Sequence, residues 1–191
     1  MANYVSNKII CTKDVLENYF IDYYPFSPDE KLDKPYITFN KILGVKSLNE
    51  YTEKYGTQVY YGWGFSYRPL STGLYEIMFA TRWYYPICAI IKSIEKFKDN
   101  IEWYAVEENI IYVSRFRYIN NNVCEEILSL ETKEFEEFDE DYHNSRMHEK
   151  ESFDNGDICV WEYIKRENIE WKLKHNNDLK EKYFEKYSGK Y

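Results

Sequence analysis

Apolar Val5, Ile9 and Ile10 within Tyr4–Thr12, near a turn-forming Cys-Thr-Lys-Asp, predict a first strand. A helical period follows. Val15, Leu16, Tyr19, Phe20 and Tyr23 share one face of a helix over Asp14–Tyr23, which Pro25 and Pro28 end because proline removes a donor and clashes with the preceding turn. After a polar loop to Pro35, Tyr36–Ile42 reads as a second strand and Ser47–Lys54 as a short helical turn. Tyr55–Tyr67 is aromatic and punctuated by Gly62 and Gly64, which predicts a strand that twists or bulges there. Leu74–Trp83 gives the clearest strand, with Tyr75, Ile77, Phe79, Thr81 and Trp83 on one face. Pro86 opens a helix whose Ile87, Ile90, Ile91, Ile94 and Phe97 form a single apolar stripe. Ile101–Glu107 and Ile110–Ile119 predict a hairpin around Glu108-Asn109.

Beyond Asn120-Asn121-Asn122 the pattern loosens. Glu125–Tyr142 is acidic with interspersed apolar residues, Met147–Gly156 reads as a loop, and Cys159–Tyr187 has helical composition in two pieces divided near His175–Asp178. The expected fold is α+β: a ferredoxin-like sandwich, a mainly antiparallel sheet with two helices on one face. Residues 1–124 form this core, and 125–191 add an acidic segment and C-terminal helices packed on it.

Several landmarks in the first part of the chain occur in a recognisable order. Met1-Ala-Asn-Tyr-Val-Ser-Asn-Lys8 is followed by Phe39-Asn-Lys-Ile42, by Tyr55-Gly-Thr-Gln58, and by Phe79-Ala-Thr-Arg-Trp83 with Pro86 after it. Over about residues 1–119 the chain resembles the YubB ferredoxin-like family of phage, plasmid and bacterial proteins, with Ala2 where that family usually has Pro, Tyr55 for Trp, and one Pro86 where two are frequent. The resemblance implies a ferredoxin-like topology and a mobile-element setting. It brings no catalytic residues and no iron–sulfur cluster.

Charge changes the picture more than composition does. The 191 residues carry a net charge of −8. Residues 1–124 are neutral, with 14 acids and 14 bases; 125–160 hold 13 acids and 3 bases; 161–191 hold 8 bases and 6 acids. The negative excess therefore lies in one segment, and a globally basic nucleic-acid binder is excluded. Aromatic residues are frequent, with 21 Tyr, 11 Phe and 5 Trp. Recognition surfaces and compositional drift explain that excess equally well. Cys11, Cys88, Cys124 and Cys159 stand singly, which predicts reduced thiols and no structural zinc. Met1–Lys8 lacks the architecture of a secretory leader and no apolar run is long enough to span a bilayer, so the expectation is a cytoplasmic chain with no membrane partner.

No motif for catalysis is present. His143 and His148 are five apart, off the spacing that puts two imidazoles on one helix face. A Cys159–His143 pair would need the fold to assemble it. No cofactor, metal or enzymatic activity is expected. The densest signal is Glu131, Glu134, Glu136, Glu137, Asp139, Glu140 and Asp141, which meet only Lys133 in the same stretch. Such a cluster suits docking onto a basic groove that otherwise holds nucleic acid, with Phe135 and Phe138, followed by Tyr142, as apolar anchors. A solvated loop or edge strand whose acids prevent aggregation accounts for it equally well. The functional expectation is a non-enzymatic phage or plasmid accessory protein that blocks a host protein, a CRISPR effector nuclease being the natural class, in the manner of an anti-CRISPR inhibitor. Direct nucleic-acid binding is not the leading expectation. The alternative is a single-stranded RNA or DNA binder using Trp63, Phe65, Tyr67, Arg115 and Arg117, since Tyr61-Gly-Trp-Gly-Phe65 partly echoes a base-stacking strand.

Overall fold

A computed structural model describes residues 3–21, 36–56, 59–146, 156–174 and 179. The last two residues of the helix expected to Tyr23, the loop from there to Pro35, most of that over 147–156 and nearly all of the second C-terminal helical piece lie outside the described residues.

Alternation along β1 (Tyr4–Cys11) sends Val5, Asn7, Ile9 and Cys11 to one side and Ser6, Lys8 and Ile10 to the other. Both sides are covered along most of the strand, so β1 becomes central, antiparallel to β4 (Tyr75–Arg82) on one edge and to β5 (Ile101–Glu107) on the other. Beyond β4 lie β3 (Tyr61–Pro69) and β2 (Tyr36–Thr38); beyond β5 lie β6 (Val113–Ile119), β7 (Asn122–Leu128) and β8 (Trp171–Leu173). The result is an α+β fold with one eight-stranded antiparallel sheet, ordered β2-β3-β4-β1-β5-β6-β7-β8, and six α-helices among the described residues. This sheet is larger than the four strands of a β-α-β-β-α-β unit, and β7 runs across residue 124.

The main core lies on the Val5–Ile9 face. There α4 (Ile87–Phe97) buries Ile87, Ile90, Ile91 and Ile94, each worth about 2 kcal/mol relative to exposure. Trp103 is fully buried among Phe20, Phe39 and Phe79 and donates Nε1–H to Asn7 Oδ1 at 3.1 Å. Asn7 passes the bond on to Thr81 Oγ1 at 3.0 Å, so the one amide in this apolar layer is satisfied. The helix predicted after β1 is a short α1 (Lys13–Val15) continued by a π-helical turn, Leu16–Phe20. The opposite face carries a second, smaller core in which α5 (Lys133–Arg146) and α6 (Gly156–Ile164) cover Val106, Val113 and Leu128. Helices therefore flank the sheet on both faces, where two on one face were expected.

Two segments differ from their predicted element. Asn40–Leu43 is helical (α2), not part of the β2 strand, because Phe39, Ile42 and Leu43 are buried at helical spacing and Gly44 closes the turn at φ +66°. A further helix, α3 (Leu48–Tyr55), follows with Ser47 Oγ accepting from the Glu50 backbone N–H at 3.2 Å. Trp171–Leu173 is strand β8, not helix: a turn after α6 reaches φ +68° at Asn168, and the chain then pairs with the β7 edge.

A bulge in β3 exchanges the two faces of that strand part-way along. Register moves from Trp63↔Ala80 to Ser66↔Met78, and the residue inserted is Gly64 at φ +67°. Gly62 is a separate requirement, since a Cβ there would lie 2.5 Å from the Phe79 ring.

Candidate binding surfaces

Helix α5 is built by the acidic segment itself. Thr132 Oγ1 accepts from the Phe135 N–H at 3.2 Å, which satisfies one otherwise orphaned donor, and Glu134 and Glu136 lie in the positive first turn. Phe135, Phe138 and Tyr142 recur on one side of the helix. Phe135 and Phe138 are each 7% exposed, edge-on and tilted against Tyr163 of α6 at 5.0 and 5.2 Å. These two phenylalanines are therefore core and not exposed anchors, because the apolar period of the helix turns them toward the sheet. Tyr142 is half-buried beside them.

The other side of α5 presents Glu134, Glu136, Glu137, Glu140 and Asp141, all exposed, and Glu131 is exposed just before the helix. Lys133 sits among them and pairs with Glu137 at 3.0 Å. Asp139 lies at the boundary between the two sides and is engaged: Cys159 donates its thiol to Oδ1 at 2.9 Å, and His143 Nε2 is 3.5 Å from the same oxygen. Burial, and then the Asp139 hydrogen bond and charge, push the Cys159 thiol up to about 12. It is held protonated and is fully buried, so the Cys159–Asp139–His143 cluster lacks the thiolate that nucleophilic chemistry needs. The acids from Glu134 to Asp141 ride on a helix and not on a loop or edge strand, with Glu131 just ahead of it.

The residues of the single-strand alternative are not brought together. Trp63 lies on the α6 side of the sheet, whereas Phe65 packs against the main core and Tyr67 pairs opposite Ile77 on the other side, because the Gly64 bulge intervenes. Arg115 and Arg117 are already committed. Their Nε–H groups donate to Glu126 Oε2 at 3.0 and 2.8 Å, and the Trp171 ring covers the Arg115 guanidinium at 4.4 Å. Burial raises the Glu126 carboxyl, but the hydrogen bonds from Arg117 and Arg115 outweigh it and hold the group below the usual carboxylate range.

A different aromatic set does converge. Trp63 meets Tyr4 edge-on at 5.5 Å and Tyr61 at 6.5 Å, and Tyr61 meets Tyr36 at 5.6 Å. Arg82 places its guanidinium 5.5 Å from the Trp63 ring. Tyr4 and Tyr61 remain 41% and 37% exposed. The four rings come from β1, β2 and β3 and touch only through the sheet register, so alternation within any one strand does not reveal them.

No family model, no curated protein and no solved structure matches this chain. Its surfaces must be read from their own chemistry. Among the described residues no group of three or more His, Cys, Asp or Glu is placed to hold a metal ion, and no helix is long and apolar enough to cross a membrane.

Proposed function

We propose that this chain is a non-enzymatic, cytoplasmic binding protein of a phage or plasmid, which docks the acidic face of α5 onto a basic groove of a nucleic-acid-handling host protein and occludes it. The observation that carries the reading is the rigid two-sidedness of α5: Phe135 and Phe138 are locked into the core while five carboxylates face outward with one lysine. A like-charged row held on a packed helix costs no ordering at the moment of binding, and its field steers encounter with a basic partner. The mobile-element setting and the choice of a CRISPR effector nuclease as the partner class rest on the YubB resemblance. The same resemblance, with the spatial order β3-β4-β1-β5 and helical segments after β1 and β4, supports a ferredoxin-like unit inside the larger sheet.

The test is charge reversal. The full chain and a Glu134→Lys, Glu136→Lys, Glu137→Lys, Glu140→Lys variant are compared for capture of the host effector and for release of its guide or target nucleic acid. The wild-type chain should capture the effector and inhibit it, with inhibition weakening as salt rises, and the variant should do neither while keeping its circular dichroism spectrum. Inhibition that survives the reversal sinks the mechanism.

A further inference from the structure

We infer that the end of the sheet on β1–β4, left uncovered on one face by the described residues, is a second binding surface, for single-stranded nucleic acid, with bases stacking on Tyr4, Tyr61, Trp63 and Trp83 and a phosphate met by Arg82. It goes beyond the acidic-helix reading and does not rest on it.

Three observations carry it. The first is the ring strip itself. Tyr4, Tyr36, Tyr61 and Trp63 are joined edge to face across three strands, on the side of the sheet that α5 and α6 cover only farther along. Half-exposed aromatic rings on an open sheet face offer sequence-tolerant π-surfaces to unpaired bases.

The second is Trp83, which directly follows Arg82 at the end of β4. Its backbone sits at φ +67°, a region bulky side chains rarely adopt, and its side chain is 66% exposed. The turn is tied on both sides, by the Trp83 N–H to Asn3 O at 2.8 Å and by the Thr81 hydroxyl to Tyr84 O at 2.8 Å. Burial does not repay this strain. A strained backbone that holds a large ring in water directly after Arg82 points to a ligand.

The third is charge. Strands β1–β4 carry Lys8, Arg68 and Arg82 against a single acid, Glu76. Glu76 is held by Arg68 Nε at 2.7 Å and Lys8 Nζ at 3.5 Å, which leaves this half of the sheet positive within a chain of −8. Among the described residues Arg82 faces the Trp63 ring and pairs with no carboxylate. Glu108, exposed at the β5–β6 turn, donates its backbone N–H to Tyr4 O at 3.0 Å and marks the border of the patch. Rings alone would suit a neutral sugar; rings with an unpaired guanidinium suit a base and its phosphate.

The experiment uses the full chain and fluorescein-labelled single-stranded oligothymidylate of about twelve nucleotides, with its RNA counterpart, at about 50 mM salt. Polarisation should show saturable binding with Kd in the range of about 1–100 µM, accompanied by quenching of tryptophan fluorescence. Trp83→Ala, at an exposed site, should weaken binding about tenfold. Arg82→Gln should weaken it and lower the slope of log Kd against log salt by about 0.7. The α5 reversal variant should bind the oligonucleotide at least as well as wild type, so failure of this surface and failure of the acidic helix are told apart. Absence of saturable binding up to about 100 µM, or equal binding by both patch variants, overturns the inference. So does a chain that self-associates in sedimentation and becomes monomeric with either patch variant.

Discussion

The β6–β7 region and the end of β4 treat their arginines in opposite ways. On β6 and β7 the strand charges are at least partly covered and are paired. Glu126 holds Arg115 and Arg117, while Glu125, 2% exposed, accepts from Ser114 Oγ at 2.7 Å, Tyr85 Oη at 3.2 Å and Lys174 Nζ at 3.3 Å. On the β2–β4 side, where the described helices leave one face open, Arg82 rests on a ring and the aromatic residues stay half in water. The cause is desolvation. A covered charge must find a partner because its hydration is gone, whereas an uncovered cation keeps its water and remains available.

The sharpest way to break this contrast is Glu126→Gln. It leaves Arg115, with a side chain 16% exposed, facing no full countercharge beneath Trp171, and should cost about 3 kcal/mol in urea denaturation. Arg117 is a third exposed and recovers some hydration, which keeps the cost at the low end. Acid should produce a weaker version of the same loss. Glu126 and Glu76 are both held below the usual range, since cationic partners outweigh the opposing effect of burial. A lowered carboxyl contributes fully above its unfolded value of about 4.5 and loses that contribution as pH falls through the folded value. The urea midpoint should therefore drop below about pH 4.5, and the drop should be smaller in Glu126→Gln. An equally steep acid loss in that variant would move the effect to other groups.

The sequence makes the elements more legible than their faces. β4 and α4 are readable because a regular period runs along each, and β1 because Val5, Ile9 and Ile10 precede a turn signal. Trp63, Phe65 and Tyr67 have strand spacing too, and an unbroken strand would set them side by side. One extra residue at Gly64 sends Phe65 and Tyr67 to the opposite face, and no local pattern announces that inversion. Arg115 and Arg117 look like free cations in the sequence because Glu126 reaches them only through the β6–β7 register. The inward turn of Phe135 and Phe138, by contrast, is available from their spacing with Tyr142. The density of the acids around them masks it.

On the open half, the smaller prediction is Trp83→Gly. Glycine adopts φ +67° without the steric cost of about 1–2 kcal/mol that a side chain meets there, but its unfolded chain is more flexible. The balance should raise stability by about 0.5 kcal/mol, read as a higher Tm, whereas Trp83→Ala keeps the strain and should be near neutral. A Trp83→Gly chain that is less stable than wild type would mean that the exposed ring supports the fold, and the contrast between the two regions would weaken.

The smallest effect tests the acidic face against a structural role. In a Glu140→Lys, Asp141→Lys variant, each new lysine follows Glu136 or Glu137 by four residues, the favourable order for helix pairs, and lies toward the negative C-terminal end of α5. The change also removes like-charge repulsion along the outer face. Stability should rise by about 0.5 kcal/mol at low salt, with the gain shrinking as salt screens it. A loss would mean that these carboxylates hold the helix in place. A gain would mean that α5 carries its outward charge at a cost to its own fold, and a cost of that kind is kept for what the helix meets outside the chain.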